Sequence, residues 1–129
     1  HPLACAAAVA TIRVMEDEAL VENADRLGRE VFAPGLADLL DHPWVGEVRG
    51  IGAFWAVELV RDKDTREPLA PYGGASAEVA TVVAGCRQRG MMPFVNFNRI
   101  HLVPPLNTSD EQVREAIAIL AEALTQAHG

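Results

Sequence analysis

The chain has 129 residues, 50% of them hydrophobic and 22% charged, as expected for one globular domain with its own core. Its formal net charge of −7 argues against nucleic acid or an anionic membrane as a partner, because both attract basic surfaces. No apolar run approaches the ~20 residues of a membrane-spanning helix, and no secretory signal pattern is present. We therefore expect a cytoplasmic protein in which Cys5 and Cys86 are buried free thiols.

The N-terminal third predicts helices. From Leu3 to about Glu16 the sequence is rich in alanine, the best helix former. Two apolar stripes with helical spacing follow one another one position out of phase, so we expect a break near Asp17. Pro34 predicts a kink or a restart, because proline has no N–H to donate, and Pro43 ends the helical region. The stripes are Ala8, Ile12, Met15 and Ala19, then Leu20, Ala24, Leu27 and Val31.

The segment Val48–Val60 predicts the central β-strand. Its odd positions from Ile51 to Leu59 are all apolar, and this alternation is typical of a strand that is covered on one face. The charged and Pro/Gly-rich residues 61–74 then predict a long loop.

The C-terminal half predicts two more helices and two more strands. Ser76 can cap a third helix that ends at Gly90. Residues 91–97 read as a strand that Pro93 places at an edge or delays, and residues 100–103 form its returning partner. The last helix begins at a capping box, formed either by Thr108 with Glu111 or by Ser109 with Gln112. Its apolar stripe is Val113, Ile117, Leu120 and Leu124.

These elements together predict an α/β domain of the α+β type. We expect a three- to four-stranded, mainly antiparallel sheet, covered on one face by the N-terminal, third and last helices.

The residues alone do not predict a self-contained active site. The four histidines lack metal-ligand spacing, and Ser76 and Ser109 stand where helix caps are needed. Glu58, a charge inside the strand, is expected to pair with Arg49 or Arg99, or to face a second domain. His101 is interpreted as a structural histidine or a ligand contact, and Arg99 as a solvated turn residue or a carboxylate anchor.

Three segments, in order and with the right spacing, resemble the C-terminal small domain of class III aminotransferases. These are pyridoxal-phosphate enzymes of fold type I. The matching segments are His1–Ala8, Val48–Gly52 with Val57–Leu59, and Ile100–Leu106. The Phe54-Trp55 pair and the loop 61–68 are similar to the branch that includes ω-amino-acid:pyruvate transaminases.

The resemblance implies that residues 1–129 are the small domain of a longer, dimeric enzyme that moves an amino group to a keto acid such as pyruvate. Pyridoxal 5'-phosphate would be held by a lysine of a large domain that precedes His1. The only lysine here, Lys63, lies in a charged turn, so we expect this chain alone to bind no cofactor and to be inactive.

The resemblance also implies that this domain forms one wall of the substrate entrance. Relatives grip a substrate carboxylate with an arginine at one of two positions, which hold His101 and Phe94 in this chain. We therefore predict Arg99 and His101 as substrate-binding residues, with no catalytic, cofactor-binding or metal residue. Ala56 replaces a glycine that is common in the family.

Two other readings remain open at this point. The chain could be a free-standing α/β binding or regulatory module, or a protein-interaction module that recruits a partner through an exposed sheet. We also expect apolar surface near the N-terminal helix to cause weak self-association of the isolated chain.

Overall fold

The computed structural model describes residues 1–129, which form five α-helices and five β-strands. The helices are α1 (Pro2–Asp17), α2 (Leu20–Leu27), α3 (Ala33–Ala37), α4 (Ala77–Gln88) and α5 (Asp110–His128). A π-helical turn (Gly28–Phe32) joins α2 to α3, and a 3₁₀ turn (Asp38–Asp41) follows α3. The strands are β1 (Val45–Ile51), β2 (Phe54–Asp62), β3 (Glu67–Pro68), β4 (Phe94–Asn96) and β5 (Arg99–Leu102).

The strands form one antiparallel sheet in the order β1-β2-β5-β4, with the two-residue β3 paired to the end of β2. This architecture confirms the predicted fold class, with β3 as a short addition inside the predicted loop. Along each strand, successive side chains point to opposite faces of the sheet, and the register decides which residues share a face. Val48, Val57, Ile100 and Val95 align across the core face, and Arg49, Ala56, His101 and Phe94 align across the other face.

The prediction of a single strand over Val48–Val60 is wrong. The chain turns at Gly52, whose φ of 54° is left-handed, and Ile51 of β1 then pairs with Phe54 of β2. The apolar alternation crosses this turn, so sequence periodicity cannot detect the reversal. β2 is the central strand, since β1 and β5 flank it.

The hydrophobic core lies between one face of the sheet and the helices that follow α1. Val57, Leu59 and Ile100 of the sheet are completely buried, as are Leu120 and Leu124 of α5. The ring of Phe32 stacks on Trp55 with centroids 6.1 Å apart. α4 and α5 cover the sheet as predicted, because each presents one apolar stripe.

The expected packing of α1 on the sheet is wrong. None of its residues is buried, and Leu3 and Ile12 are 74% and 55% exposed. The break predicted near Asp17 is present, with Ala19 in a left-handed conformation at φ 49°. This break directs α1 away from the core, so Cys5 is exposed, contrary to the prediction, whereas Cys86 is buried.

The two predicted helix caps are present. Ser76 Oγ accepts a hydrogen bond from Val79 N at 3.2 Å at the start of α4. Of the two capping boxes predicted for α5, the one between Ser109 and Gln112 forms. Gln112 N donates to Ser109 Oγ at 3.3 Å, and Ser109 N donates to Gln112 Oε1 at 3.0 Å.

Pro93 delays the start of β4 to Phe94, as expected of a residue that has no N–H to donate to the neighbouring strand. None of the helices combines the length and apolarity needed to cross a bilayer.

Candidate functional site

The sheet face opposite the core holds the predicted site residues, and α2 borders it at one end, where Val21, Ala24 and Asp25 line a groove with Ile51 and Phe54. Four strands contribute side chains to it, and several of these are apolar yet exposed. Phe54 is 54% exposed, Phe94 is 67% exposed and Ile51 is 80% exposed. Met92, just before β4, is 83% exposed, and Val103, just after β5, is 52% exposed. Because isolated domains rarely expose such a cluster, this open face is the candidate functional surface.

His101 lies at the middle of the open face. On β5 it is directly opposite Ala56 of β2 and Phe94 of β4. Its ring lies between two phenylalanine rings, with centroids 5.8 Å from Phe54 and 5.4 Å from Phe94. We call these three residues, Phe54, Phe94 and His101, the aromatic cluster.

Both ring nitrogens of His101 are buried and have no hydrogen-bond partner. An unpaired polar atom that is shielded from water costs free energy, so such an arrangement calls for an explanation. Burial lowers the pKa of His101 below its ordinary value of 6.5, and the positive charges of Arg99 and Arg49 lower it further. The imidazole is therefore neutral at pH 7, with one nitrogen able to donate and the other able to accept.

The charged residues of the open face form a network from which Arg99 is excluded. Arg49 Nη2 lies 2.9 Å from Glu58 Oε2, and its Nη1 lies 3.2 Å from Glu47 Oε2. Arg66 also reaches Glu47, at 2.8 Å. Glu58 therefore pairs with Arg49, one of the two predicted partners. Arg99 lies directly opposite Glu58 on β5 but belongs to none of the ion pairs.

The structure thus brings the two predicted site residues together. Arg99 and His101 are two positions apart on β5, so their side chains leave the same face about 7 Å apart. His101 is on the face opposite the buried Ile100 and Leu102, as predicted. Phe94 joins His101 through the β4–β5 register, so the two positions where the resemblance implies arginines are cross-strand neighbours.

Sequence reasoning missed Phe54 as a site residue. In the sequence it enters only as part of the Phe54-Trp55 pair that resembles the ω-amino-acid:pyruvate transaminase branch. Its position two residues before Ala56 was the available signal, but only the pairing of β2 with β5 shows that Phe54 contacts His101.

Other chemically capable residues of this chain do not form a site. No group of three or more His, Cys, Asp or Glu side chains is arranged to hold a metal ion. Lys63 is exposed, and its Nζ donates to the carbonyl of Leu40 at 2.6 Å. Burial raises the pKa of the Cys86 thiol, which makes it a poor nucleophile.

Comparison with known proteins agrees with this architecture. The family profile described as aminotransferase class III matches residues 1–124. The 4-aminobutyrate aminotransferase GabT of Escherichia coli is 34% identical over 98% of this chain and 29% of its own length. The ethanolamine-phosphate phospho-lyase homolog 1 of Caenorhabditis elegans is 33% identical over 97% of this chain and 26% of its own length. The chain thus spans between a quarter and a third of these relatives.

The fold comparison leads to the same family. The omega transaminase from Pseudomonas jessenii, solved in complex with PMP, superposes with a TM-score of 0.87 and 31% identity. The match covers 98% of this chain and 27% of that one. A profile that spans nearly the whole chain, together with the shared fold, is sufficient evidence for the family. The chain belongs to the class III aminotransferases, the pyridoxal-phosphate-dependent enzymes of fold type I, and its fold matches the small domain of transaminases.

Proposed function

We propose that this chain is the small domain of an aminotransferase and that its open sheet face forms one wall of the substrate entrance. The intact enzyme would move an amino group from an amino acid or amine, including ω-amino donors, to a keto acid such as pyruvate. The observation that carries this proposal is the uncovered face, where Arg99 lacks a carboxylate partner beside the unsatisfied His101. Relatives named for 4-aminobutyrate and 5-aminovalerate support an amino donor that also carries a carboxylate.

The residues of this chain do not by themselves fit pyridoxal phosphate. Its single lysine lies in an exposed, charged turn, where its Nζ donates to the backbone carbonyl of Leu40. The N-termini of α4 and α5, which could otherwise bind a phosphate, are capped by their own serines. We propose that the lysine and the phosphate contacts come from a large domain, and that a second subunit completes a homodimer.

Within this arrangement Arg99 is the expected carboxylate anchor. A guanidinium presents a planar fork of donors that matches a carboxylate, and on β5 it has no competing partner in the domain. His101 would add one neutral hydrogen bond to the same ligand once the flanking Phe54 and Phe94 rings move aside, since both of its ring nitrogens are shielded in the isolated domain.

The test uses the intact enzyme that contains this chain. Transamination is assayed with 4-aminobutyrate, 5-aminovalerate and an aliphatic amine as donors and pyruvate as acceptor, with ethanolamine phosphate included as a lyase substrate. Borohydride reduction followed by peptide mapping then locates the cofactor-bearing lysine. We expect transaminase activity, a labelled lysine outside this chain, and an active Lys63→Arg variant. Labelling of Lys63, or loss of all activity in Lys63→Arg, would contradict the proposal that the cofactor-bearing lysine lies in a large domain outside this chain.

A further inference from the structure

Three ring side chains join the C-terminal end of α5 to the segment that leads into β1. The rings of His42 and His128 have centroids 5.4 Å apart, and the ring of Trp44 lies 6.2 Å from His42 and 5.0 Å from His128. All three pairs meet edge to face, an arrangement that aromatic rings favour. We call His42, Trp44 and His128 the histidine clasp. None of these residues belongs to the aromatic cluster.

His42 holds the turn before β1 through hydrogen bonds. Its Nδ1 accepts from the backbone N–H of Trp44 at 3.1 Å, and its carbonyl accepts from Val45 N at 3.0 Å. The carbonyl of Trp44 in turn accepts from Val60 N at 2.8 Å, which ties the turn to β2. An imidazole nitrogen can accept a hydrogen bond only while it carries no proton. The turn therefore requires a neutral His42.

The surroundings of His42 oppose its protonation. Burial lowers its pKa below the ordinary value of 6.5, and the neighbouring His128 lowers it further. The backbone carbonyl of Leu124 acts in the opposite direction, and the charge of Lys63, in the turn after β2, lowers the pKa again. Two of the groups that oppose the proton thus come from other elements, α5 and the turn after β2.

No carboxylate compensates a proton on His42. Asp38 and Asp41 lie on the 3₁₀ turn just before it, but neither His42 nor His128 takes part in an ion pair. A protonated His42 would be a partly buried cation beside a second imidazole, and its bond from the Trp44 N–H would be lost.

We propose that the histidine clasp is a pH-sensitive device that holds the last turn of α5 against the start of the sheet and releases it in mild acid. A proton from solvent binds Nδ1 of His42, the hydrogen bond from Trp44 N breaks, and the cation is repelled by His128 and Lys63. The released state binds the proton with ordinary affinity. The clasp is therefore fully closed above about pH 6.5 and loosens as the pH falls below that value. This device is independent of the proposed function.

The experiment follows hydrogen exchange by mass spectrometry in the intact enzyme that contains this chain. Exchange at the imidazole C2 position gives the pKa of His42, which we expect to lie below 6.5. Backbone exchange, corrected for the intrinsic rate at each pH, reports on residues 38–45 and 121–129. Both segments should lose protection together below about pH 6.5. The loss should not exceed about tenfold per pH unit, the limit for uptake of one proton.

His42→Asn separates the hydrogen bond from the charge. An asparagine side-chain carbonyl can accept from the N–H two residues further on, but it does not titrate. The protection of both segments should then become independent of pH. His101→Asn, which removes a histidine of the open face, is the matched control and should lose protection in these segments as the wild type does.

His128→Gln tests the device without changing the turn itself. It removes one source of repulsion, so the pKa of His42 should rise toward 6.5 and the acid-dependent loss of protection should become smaller. Equal protection of the wild-type segments at about pH 5 and pH 8 would overturn the proposal. So would a His42 pKa at or above 6.5, a loss that persists in His42→Asn, or an undiminished loss in His128→Gln. The last of these keeps the proposal testable if His42→Asn fails to fold.

Discussion

Arg49 Nη2 lies 2.9 Å from Glu58 Oε2, an ion pair between neighbouring strands that leaves Arg99 free. Arg99 on β5 lies directly opposite Glu58 and Arg49 on β1 lies diagonal to it, yet the ion pair forms with Arg49. Arg49 is also held by Glu47, so its fork of donors is already occupied. The carboxylates of the domain thus neutralise one cation of the open face and leave the other available to a ligand.

Substitution of the free cation should affect carboxylate substrates selectively. In the intact enzyme we expect Arg99→Ala to raise KM for a carboxylate-bearing donor by roughly tenfold or more, equivalent to ~1.4 kcal/mol. His101→Ala should raise it several-fold, because a neutral imidazole offers one donor against the fork of a guanidinium. Steady-state kinetics on a matched amine without a carboxylate should show little change.

Arg87→Ala is the control for this experiment, since Arg87 is an exposed arginine on α4 that also forms no ion pair. Wild-type kcat/KM in both Arg99→Ala and His101→Ala, on every donor and acceptor, would show that β5 is only a scaffold.

The neutral state of His101 makes the stability of the domain dependent on pH. Burial lowers the pKa of His101 below 6.5, so the unfolded chain binds a proton that the folded chain resists. Stability is therefore full above about pH 6.5 and falls as the pH drops below that value. Burial lowers the pKa of His42 as well, which adds a second contribution of the same sign.

His101→Phe should flatten this pH dependence without abolishing it, because His42 remains. Urea unfolding between pH 5 and pH 8 provides the measurement. At pH 7 the variant should be as stable as the wild type or more stable by about 1 kcal/mol, since it removes two unsatisfied buried nitrogens. An unchanged pH profile would indicate that the imidazole is protonated in the folded chain or is not buried.

Gly28 packs so closely against the backbone of Gly52 that no side chain fits at position 28. A Cβ on Gly28 would lie 2.7 Å from the carbonyl oxygen of Gly52, and this backbone cannot move without shifting the β1–β2 turn. We expect Gly28→Ala to lower the free energy of unfolding by about 1–3 kcal/mol in denaturant melts.

Gly35→Ala is the matched comparison for this variant. Its Cβ would lie 2.9 Å from Cδ1 of Ile117, the flexible end of a side chain that can rotate away. Alanine also favours the helical backbone of α3 by up to about 1 kcal/mol over glycine. Gly35→Ala should therefore be close to neutral, and equal destabilisation by both substitutions would show that the π-helical turn does not contact the β1–β2 turn closely.

The exposed α1 should cause the isolated 129-residue chain to self-associate weakly. No residue of α1 is buried, and its apolar side chains Leu3, Val9 and Ile12 are exposed; such stripes drive association. Ile12→Glu should shift sedimentation-velocity profiles toward the monomer at high concentration. Thr11→Glu places the same charge on the neighbouring position and should leave association largely unchanged. A wild-type chain that remains monomeric at high concentration would contradict this prediction.

Features that depend on near neighbours in the chain were predictable from the sequence. The stripe of α5 and the caps at Ser76 and Ser109 follow from local spacing and from hydrogen bonds that span three or four residues. The family resemblance also depends on linear order, and comparison with known proteins confirms it. The position of Arg99 and His101 on one strand face follows from their separation by two residues.

Only the tertiary structure decided the features that depend on which distant segments of the chain pair and pack together. An apolar alternation is the same whether the strand continues or reverses, so only the pairing of β1 with β2 and the left-handed Gly52 between them reveal the hairpin. Glu58 had two arginines within reach, Arg99 directly opposite it on β5 and Arg49 diagonal to it on β1, and in the structure it pairs with Arg49, which Glu47 also holds. The aromatic cluster joins residues 40 or more positions apart, Phe54 with Phe94 and His101, because β5 pairs with both β2 and β4. No local pattern contains that information, since it arises from the order of strands in the sheet.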